Sequence, residues 1–97
     1  MASYIQLLSF TEQGVKAYAG TLDRATAARG AIEKMGGKMP HIYYTLGAYD
    51  AVVISEFPDD ETATAFALKV GALGNVRTTT LRAFDEKEMA GILAKAR

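Results

Sequence analysis

The only histidine of the chain, His41, follows Pro40 at the start of an extended segment. An imidazole titrates near neutral pH, so this side chain could transfer protons in catalysis. Tyr43 lies on the same side of the segment, because residues two apart on a strand share a face. Together they would offer an imidazole and a hydroxyl to a small polar ligand. The alternative interpretation is an exposed histidine at a strand start beside a tyrosine that only packs.

Asp50 and Arg77 each begin a further extended segment beside a glycine-containing turn, and Tyr49 precedes the first of them. An arginine can hold a carboxylate or phosphate through two parallel hydrogen bonds, and backbone N–H groups around Gly74 would assist it. The alternatives are that Asp50 caps its turn and that Arg77 forms an ion pair with an acid such as Asp50. Both interpretations stay open at this point. The candidate ligand-binding residues are therefore His41, Tyr43, Tyr49, Asp50 and Arg77.

Composition excludes several kinds of site and partner. Eleven basic residues balance eleven acidic ones and form no cluster, so we predict no nucleic-acid partner. The chain has no cysteine, which excludes disulfides, thiolate nucleophiles and the usual structural zinc sites. A single histidine and scattered acids predict no metal site. The sequence also lacks the short motifs of phosphate-binding loops and nucleophile elbows, so we predict no cofactor.

No segment predicts an export signal or a membrane span. The N-terminus has only a brief apolar run and no basic stretch before it. No apolar run approaches the roughly 20 residues that a membrane-spanning helix needs. We therefore predict a cytoplasmic protein with no membrane partner. Its 97 residues, 49% of them hydrophobic, are typical of a single globular domain over 1–97.

Hydrophobic periodicity predicts alternating strands and helices. Residues 4–10 are apolar on both alternating sets, as in a strand with both faces covered. A loop over 11–22 follows, which could be either a lid or a packed connection. A helix then begins near Asp23 and ends at Gly36. The remaining predicted elements are a strand over 42–46, a strand over 51–57, a helix from Pro58, a strand over 75–84 and a helix from Asp85.

This order of elements predicts an α+β, ferredoxin-like βαββαβ fold with an extra C-terminal helix. Its four-stranded antiparallel sheet would carry the first two predicted helices on one face. The strands over 4–10, 42–46 and 51–57 keep apolar residues on both faces, so the helix-free face must also be covered. A second copy of the chain is the simplest cover. The alternatives are the C-terminal helix folded over this face and an open ligand site.

Three segments resemble the bacterial GYD family: residues 11–14, residues 44–50 and residues 74–84. The family name refers to a Gly-x-Tyr-Asp element, here Gly47, Tyr49 and Asp50. The resemblance extends over nearly the whole chain and implies a dimeric α+β barrel in which two ferredoxin-like sheets pack face to face. It implies no settled reaction. Other members of that superfamily include cofactor-independent oxygenases, lactone isomerases, haem enzymes and ligand sensors, so a function inferred from the fold is analogy.

The residues and the resemblance together favour a homodimer, with a higher oligomer as an alternative. We expect it to bind a small anionic or aromatic ligand between the sheet and the helices. The enzymatic alternative is a cofactor-independent oxygenase or isomerase of aromatic or lactone substrates, with His41 or a tyrosine as general acid or base. The third hypothesis is a structural or regulatory subunit whose surfaces serve only assembly.

Overall fold

A computed structural model describes residues 1–97 and contains four strands and four α-helices. The strands form one antiparallel sheet in the order β2-β3-β1-β4. This architecture confirms the predicted ferredoxin-like fold with its additional C-terminal helix. The elements are β1 (Ala2–Phe10), α1 (Glu12–Lys16), α2 (Thr21–Lys34), β2 (Lys38–Tyr44), β3 (Ala51–Phe57), α3 (Asp60–Ala72), β4 (Val76–Ala83) and α4 (Glu86–Lys95).

One face of the sheet, here named the covered face, packs against α2 and α3. The register pairs Tyr4 of β1 with Ser55 of β3, so even-numbered residues of β1 and odd-numbered residues of β3 share this face. The hydrophobic core lies between this face and the two helices. Its buried members are Tyr4, Ile32, Met39, Val53, Phe57, Ala63 and Phe66.

The opposite face of the sheet, here named the open face, carries no helix. Ile5 in β1 lies between Ile54 of β3 and Leu81 of β4, which makes an apolar row across three strands. Ile5 and Ile54 are only half-buried, and Leu81 is exposed. Helix α4 has no buried residue and makes no extended contact with any strand. The alternative in which the C-terminal helix folds over this face is therefore wrong.

The segment over 11–22 is a packed connection and not an open loop. It contains α1 and a 3-10 turn at Tyr18–Gly20. The Thr11 hydroxyl donates to the Gly74 carbonyl at 2.5 Å, and Gln13 Nε2 donates to the Leu73 carbonyl at 3.0 Å. These hydrogen bonds fasten α1 to the backbone between α3 and β4. Of the two interpretations of this segment, the structure therefore favours the packed connection over the lid.

Strand β2 begins earlier than its sequence predicts. The predicted strand covers 42–46, whereas the observed strand is Lys38–Tyr44 and includes Pro40. Proline lacks the N–H that a central strand needs, but β2 is an edge strand with a free side. The register also shifts between Lys38 and His41, which accommodates the proline. At the other end, Leu46 lies outside the strand and is fully exposed.

Three helix boundaries follow their capping residues, whereas α2 begins at Thr21, before the start predicted near Asp23, and has no side-chain cap. Helix α2 ends before Gly36, whose φ of +84° is a conformation that glycine adopts readily. Asp59 caps α3 by accepting hydrogen bonds from the Thr62 hydroxyl and backbone N–H, and these bonds hold the pKa of its carboxyl below the ordinary value. Asp85 and Glu88 form a reciprocal capping box at the start of α4. The helix starts predicted near Pro58 and Asp85 are therefore confirmed.

A substitution at Gly14 tests how tightly α1 packs against Asn75, the residue before β4. A Cβ at Gly14 would lie 2.0 Å from the Asn75 carbonyl oxygen, so Gly14→Ala should force the backbone apart. We expect the free energy of unfolding to fall by about 1–3 kcal/mol, as for overpacked sites. Gly30→Ala is the matched control, because nothing lies within 4 Å of its Cβ position in α2. Chemical denaturation of both variants checks this, and an equally stable Gly14→Ala protein would contradict it.

Candidate ligand cleft

A cleft with a cavity volume of about 320 Å³ lies between α2 and α3, above the covered face. This volume is at the lower end of the range for small-molecule sites. The sheet forms the floor, which includes Gln6, Leu8 and Val53. Ala28 of α2 and Ala67 of α3 are among the residues of the walls. The cleft is therefore a largely apolar space whose floor includes residues of all four strands.

Small side chains on the helices keep the cleft open. Helix α2 contributes four alanines to its lining, at 25, 27, 28 and 31, and α3 contributes Ala67. The same alanines satisfy the hydrophobic periodicity of a helix that packs on a sheet. They do not fill the space between the helices, because a methyl group reaches much less far than a leucine or isoleucine side chain. The helical stripe was predictable from the sequence, but the cavity beneath it was not.

The charged residues that line the cleft are Arg24 of α2 and Lys69 of α3. The Arg24 guanidinium donates to the Ala17 carbonyl at 2.9 Å and to the Thr21 hydroxyl at 3.3 Å. These bonds hold the guanidinium near the start of the helix. Neither cation forms an ion pair, and no aspartate or glutamate lines the cleft. The rim is therefore electropositive, which favours an anionic group on a bound molecule.

His41 and Tyr43 lie outside the cleft. Both side chains are on the open face of β2, opposite Ile54 and Val52 of β3. Their rings stack with centroids 6.0 Å apart and an interplanar angle of 15°. Both are exposed. The structure thus brings these two predicted site residues together, as their spacing indicates, but on the face that the two helices do not cover.

Tyr49 and Asp50 belong to the connection between β2 and β3. The Asp50 carboxylate accepts a hydrogen bond from the Phe10 backbone N–H at 2.7 Å, and the Asp50 N–H donates to the Leu8 carbonyl at 2.8 Å. The Tyr49 carbonyl accepts from the Thr45 hydroxyl at 2.6 Å. Asp50 therefore closes the end of the β1–β3 ladder, because its carboxylate bonds to the backbone of β1 and not to that of its own turn. Neither residue lines the cleft.

Arg77 lies on the open face of β4 opposite Ser9 and forms no ion pair. Strands β2 and β4 are the two edges of the sheet, so Arg77 is separated from His41 by both central strands. The ion pair considered between Arg77 and Asp50 is absent. Arg82, on the covered face, forms an ion pair with the last helix, at 3.1 Å from Glu88. The five predicted residues therefore do not form one site.

One sequence feature could have shown which side of the sheet faces the helices. Glu56 shares its strand face with Val52 and Ile54, whereas the other face of β3 carries Val53 and the fully buried Phe57. A carboxylate is rarely placed under a packed helix. This parity places Val52 and Ile54 on the open face. The register then places their neighbours in β2, His41 and Tyr43, on the same face.

Tyr4, a member of the core, carries a second polar group outside the cleft. Tyr4 is 3% exposed, and its hydroxyl donates to Asp60 Oδ1 at 2.5 Å. Burial, together with this hydrogen bond and the Asp60 charge, raises the pKa of Tyr4 to about 12. The Arg82 guanidinium lies 5.7 Å from the Tyr4 ring centre and 4.5 Å from that of Phe84. These contacts join the first strand to the ends of α3 and β4.

The structure contains neither a cluster of metal-binding side chains nor a membrane-spanning helix. No group of three or more histidine, cysteine, aspartate or glutamate side chains is placed to hold a metal ion. No helix has the length and apolar character required to cross a lipid bilayer.

Comparison with known proteins identifies the family. The family model for the GYD domain matches residues 4–93, which is nearly the whole chain. The chain therefore belongs to the GYD domain family, as the resemblance of its three segments predicts. A search of curated proteins and a search of solved structures each gave no significant match. The family is one of small domains without a specific assigned function, so a function has to be inferred from this chain's own residues.

Tyr4 should make stability depend on pH in the alkaline range. Its pKa is about 12 in the fold against 10.0 for a free side chain, so the folded state holds the proton more tightly. This contribution is fully present below pH 10 and is lost as the pH rises toward 12. Tyr4→Phe should lose about 1.5 kcal/mol at neutral pH with the hydrogen bond to Asp60. It should also show a smaller decline in stability above pH 10.

Urea denaturation of both proteins across this pH range provides the measurement. The difference in the free energy of unfolding between wild type and Tyr4→Phe should shrink as the pH increases. Tyr18→Phe is the control, because Tyr18 is 66% exposed and its hydroxyl has no protein partner. A constant difference between wild type and Tyr4→Phe would show that the Tyr4 proton is not linked to folding.

Proposed function

We propose that this member of the GYD domain family binds a small anionic molecule with an apolar body in the cleft between α2 and α3. The single observation that supports this most strongly is the cleft itself, an apolar space of about 320 Å³ within a chain of 97 residues. Protein interiors are close-packed and usually contain few voids larger than a water molecule. A space of this size above the sheet therefore supports the proposal of a ligand site.

The size of the cleft limits the ligand. A buried apolar cavity of about 150 Å³ is large enough for benzene. The cleft has about twice that volume, so it suits a molecule with one or two rings or an aliphatic group of similar size. Leu8, Val53 and Phe66 would contact the apolar body. Burial of that body would provide most of the binding free energy.

The basic side chains at the rim of the cleft favour a negatively charged ligand. Arg24 and Lys69 come from opposite walls, and neither has a carboxylate partner in the chain. A carboxylate or sulfonate on the ligand could accept charge-assisted hydrogen bonds from them. Tyr44 adds a phenol to the lining, but no imidazole or carboxylate is present there. The proposal is therefore binding, and acid–base catalysis by His41 would have to take place on the open face.

Filling the cleft should weaken binding without disrupting the fold. Ala28→Leu and Ala67→Leu place larger side chains on opposite walls, and each should weaken the binding of naphthoate at least tenfold in isothermal titration. Ala65→Leu is the matched control, since Ala65 is exposed on α3 and does not line the cleft. The neutral amide of the same acid should bind about tenfold more weakly than naphthoate, the effect of one charge-assisted hydrogen bond.

Unchanged naphthoate affinity in both cleft variants would contradict the proposed site. Equal affinity for the acid and its amide would contradict the role of the basic rim while leaving the apolar site intact. Thermal unfolding of each variant separates loss of binding from loss of structure, because a filled apolar cavity should not lower the unfolding temperature by more than the control does.

We also propose that two copies pair through their open faces. A compact monomer of 10.4 kDa exposes about 5,400 Å² of surface. This chain exposes 6551 Å², an excess of about 1,150 Å² over that expectation. Its radius of gyration is 14.5 Å, against about 12.5 Å for a compact domain of this length. A stable interface of standard size buries about 800 Å² on each partner, so the excess is sufficient for one.

The open face suits a second copy because its centre is continuous and apolar. Ile5, Ile54 and Leu81 form one row across it, and Leu7 with Val52 forms the next. A two-fold symmetric pair would place these rows against themselves, as an isologous interface requires. Charge does not oppose the pairing, because the net charge of the chain is zero. The pair would correspond to the dimeric α+β barrel that the family resemblance implies, and its cytoplasmic location stays a prediction.

A charge at the centre of the open face should separate the pair. Ile54→Asp would bury an unpaired carboxylate against the partner, so we expect a dimer to become a monomer in sedimentation velocity at micromolar concentration. Ala65→Asp, on the exposed surface of α3, is the control and should remain dimeric. A wild-type protein that sediments as a monomer over the whole concentration range would contradict the proposed pairing.

A further inference from the structure

A buried amide lies in the apolar floor of the cleft. Gln6 is 2% exposed and belongs to β1, the central strand that pairs with both β3 and β4. It lines the cleft with its covered-face neighbours Leu8 and Val53. Glutamine is seldom buried this deeply, because each of its amide atoms then needs a hydrogen-bond partner. Its presence between aliphatic side chains therefore requires a physical explanation.

One half of the Gln6 amide has a partner within the protein. The Ser55 hydroxyl donates to Gln6 Oε1 at 2.9 Å, and Ser55 is itself fully buried. This hydrogen bond fixes the orientation of the amide across the β1–β3 pair. The other half, the Nε2 amino group, has no hydrogen-bond partner among the protein atoms. Every fully buried side-chain nitrogen or oxygen in the structure has one, so Nε2 must be accessible.

Gln6 is almost wholly buried and lines the cleft, so we take the cleft as the space that the accessible Nε2 reaches. The Ser55 hydroxyl holds the amide through Oε1, and the two N–H donors of Nε2 have no acceptor within the protein. An apolar side chain at this position would pack in the same place without the need for a partner. The arrangement has the form of a recognition group that a ligand completes.

We propose that the Gln6 amide binds a hydrogen-bond acceptor at the inner end of the cleft ligand. This inference rests on the proposed function and extends it. The ligand would then be polar at both ends, with an anionic group near Arg24 and Lys69 and a hydroxyl or carbonyl oxygen at Gln6. The apolar body between them contacts the cleft walls. The chemical class is a hydroxy- or oxo-substituted aromatic or alicyclic acid of one or two rings.

Ser55 is a positioning residue in this arrangement. Its hydroxyl holds Oε1 and so directs Nε2 toward the cleft, without any contact with the ligand. Ser55 does not line the cleft, whereas Gln6 does. Loss of the hydroxyl should therefore reduce the discrimination between ligands that do and do not carry the inner oxygen. It should leave the affinity for the acid without that oxygen nearly unchanged.

The test compares three matched pairs of acids: benzoate, phenylacetate and naphthoate, each with and without a ring hydroxyl. Isothermal titration gives the affinity of each acid for the wild type, Gln6→Leu and Ser55→Ala. In at least one pair the wild type should bind the hydroxylated acid about tenfold more tightly, the effect of one added hydrogen bond. Gln6→Leu should remove this preference while still binding the acid that lacks the hydroxyl. Ser55→Ala should reduce the preference in the same direction.

Thr80→Val is the matched control variant. Thr80 lies directly opposite Gln6 in β4 and on the same face of the sheet, but it does not line the cleft. This variant should keep the wild-type preference for the hydroxylated acid. Circular dichroism and thermal unfolding verify that each variant is folded. If Gln6→Leu does not fold, Ser55→Ala still tests the inference, because it alters the orientation of the amide without removing it.

The outcomes separate this inference from the proposed function. Binding of the acids with no preference for the hydroxyl in the wild type would overturn the inference and leave the cleft as an anion-binding site. A preference that persists in Gln6→Leu would also overturn it, since another group would then recognise the hydroxyl. Failure of all six acids to bind the wild type would overturn the proposed function, and this inference with it.

Discussion

A sheet has two faces, and this chain supplies packed helices for only one of them. Side chains alternate along β1 and β3, so the same strands place Tyr4 and Phe57 in the core and Ile5 and Ile54 on the open face. An apolar core does not require the other face of the sheet to be apolar, but here the centre of that face is apolar. The cleft and the large exposed surface both follow from this arrangement. The two helices lie apart over a wide sheet, and nothing in one chain covers its reverse side.

Much of the fold could be predicted because local signals agree with it. Asp59 and Asp85 cap helices, Gly36 ends one, and the β-branched run over 51–57 is a central strand. The errors have physical reasons. Proline normally argues against a strand, but at an edge its missing N–H costs no ladder hydrogen bond, so β2 extends through Pro40. The segment over 11–22 has little periodicity, since its helix is one turn long and held by side-chain bonds to a distant loop.

The candidate site was less accessible to sequence reasoning than the fold. Strand parity correctly groups His41 with Tyr43, but parity alone does not say which face the helices cover. An aspartate such as Asp50 could bind a ligand or close the end of a strand ladder. Its bonds to the β1 backbone show that it closes the ladder. The cleft depends on how far apart two helices lie, which is a property of packing and not of spacing. Gln6 gave no local signal, because one polar residue on an apolar strand usually faces solvent.

Pro40 and the irregular register beside it have a consequence for how copies of this chain can meet. An exposed strand edge is a template for further strands, and sheets that join edge to edge can grow without limit. The proline and the bulge interrupt the free side of β2, so a neighbouring chain cannot form a continuous ladder there. Growth of the sheet in that direction is blocked by the backbone itself. The β2 edge of the sheet is thereby protected from fibrous aggregation through strand addition.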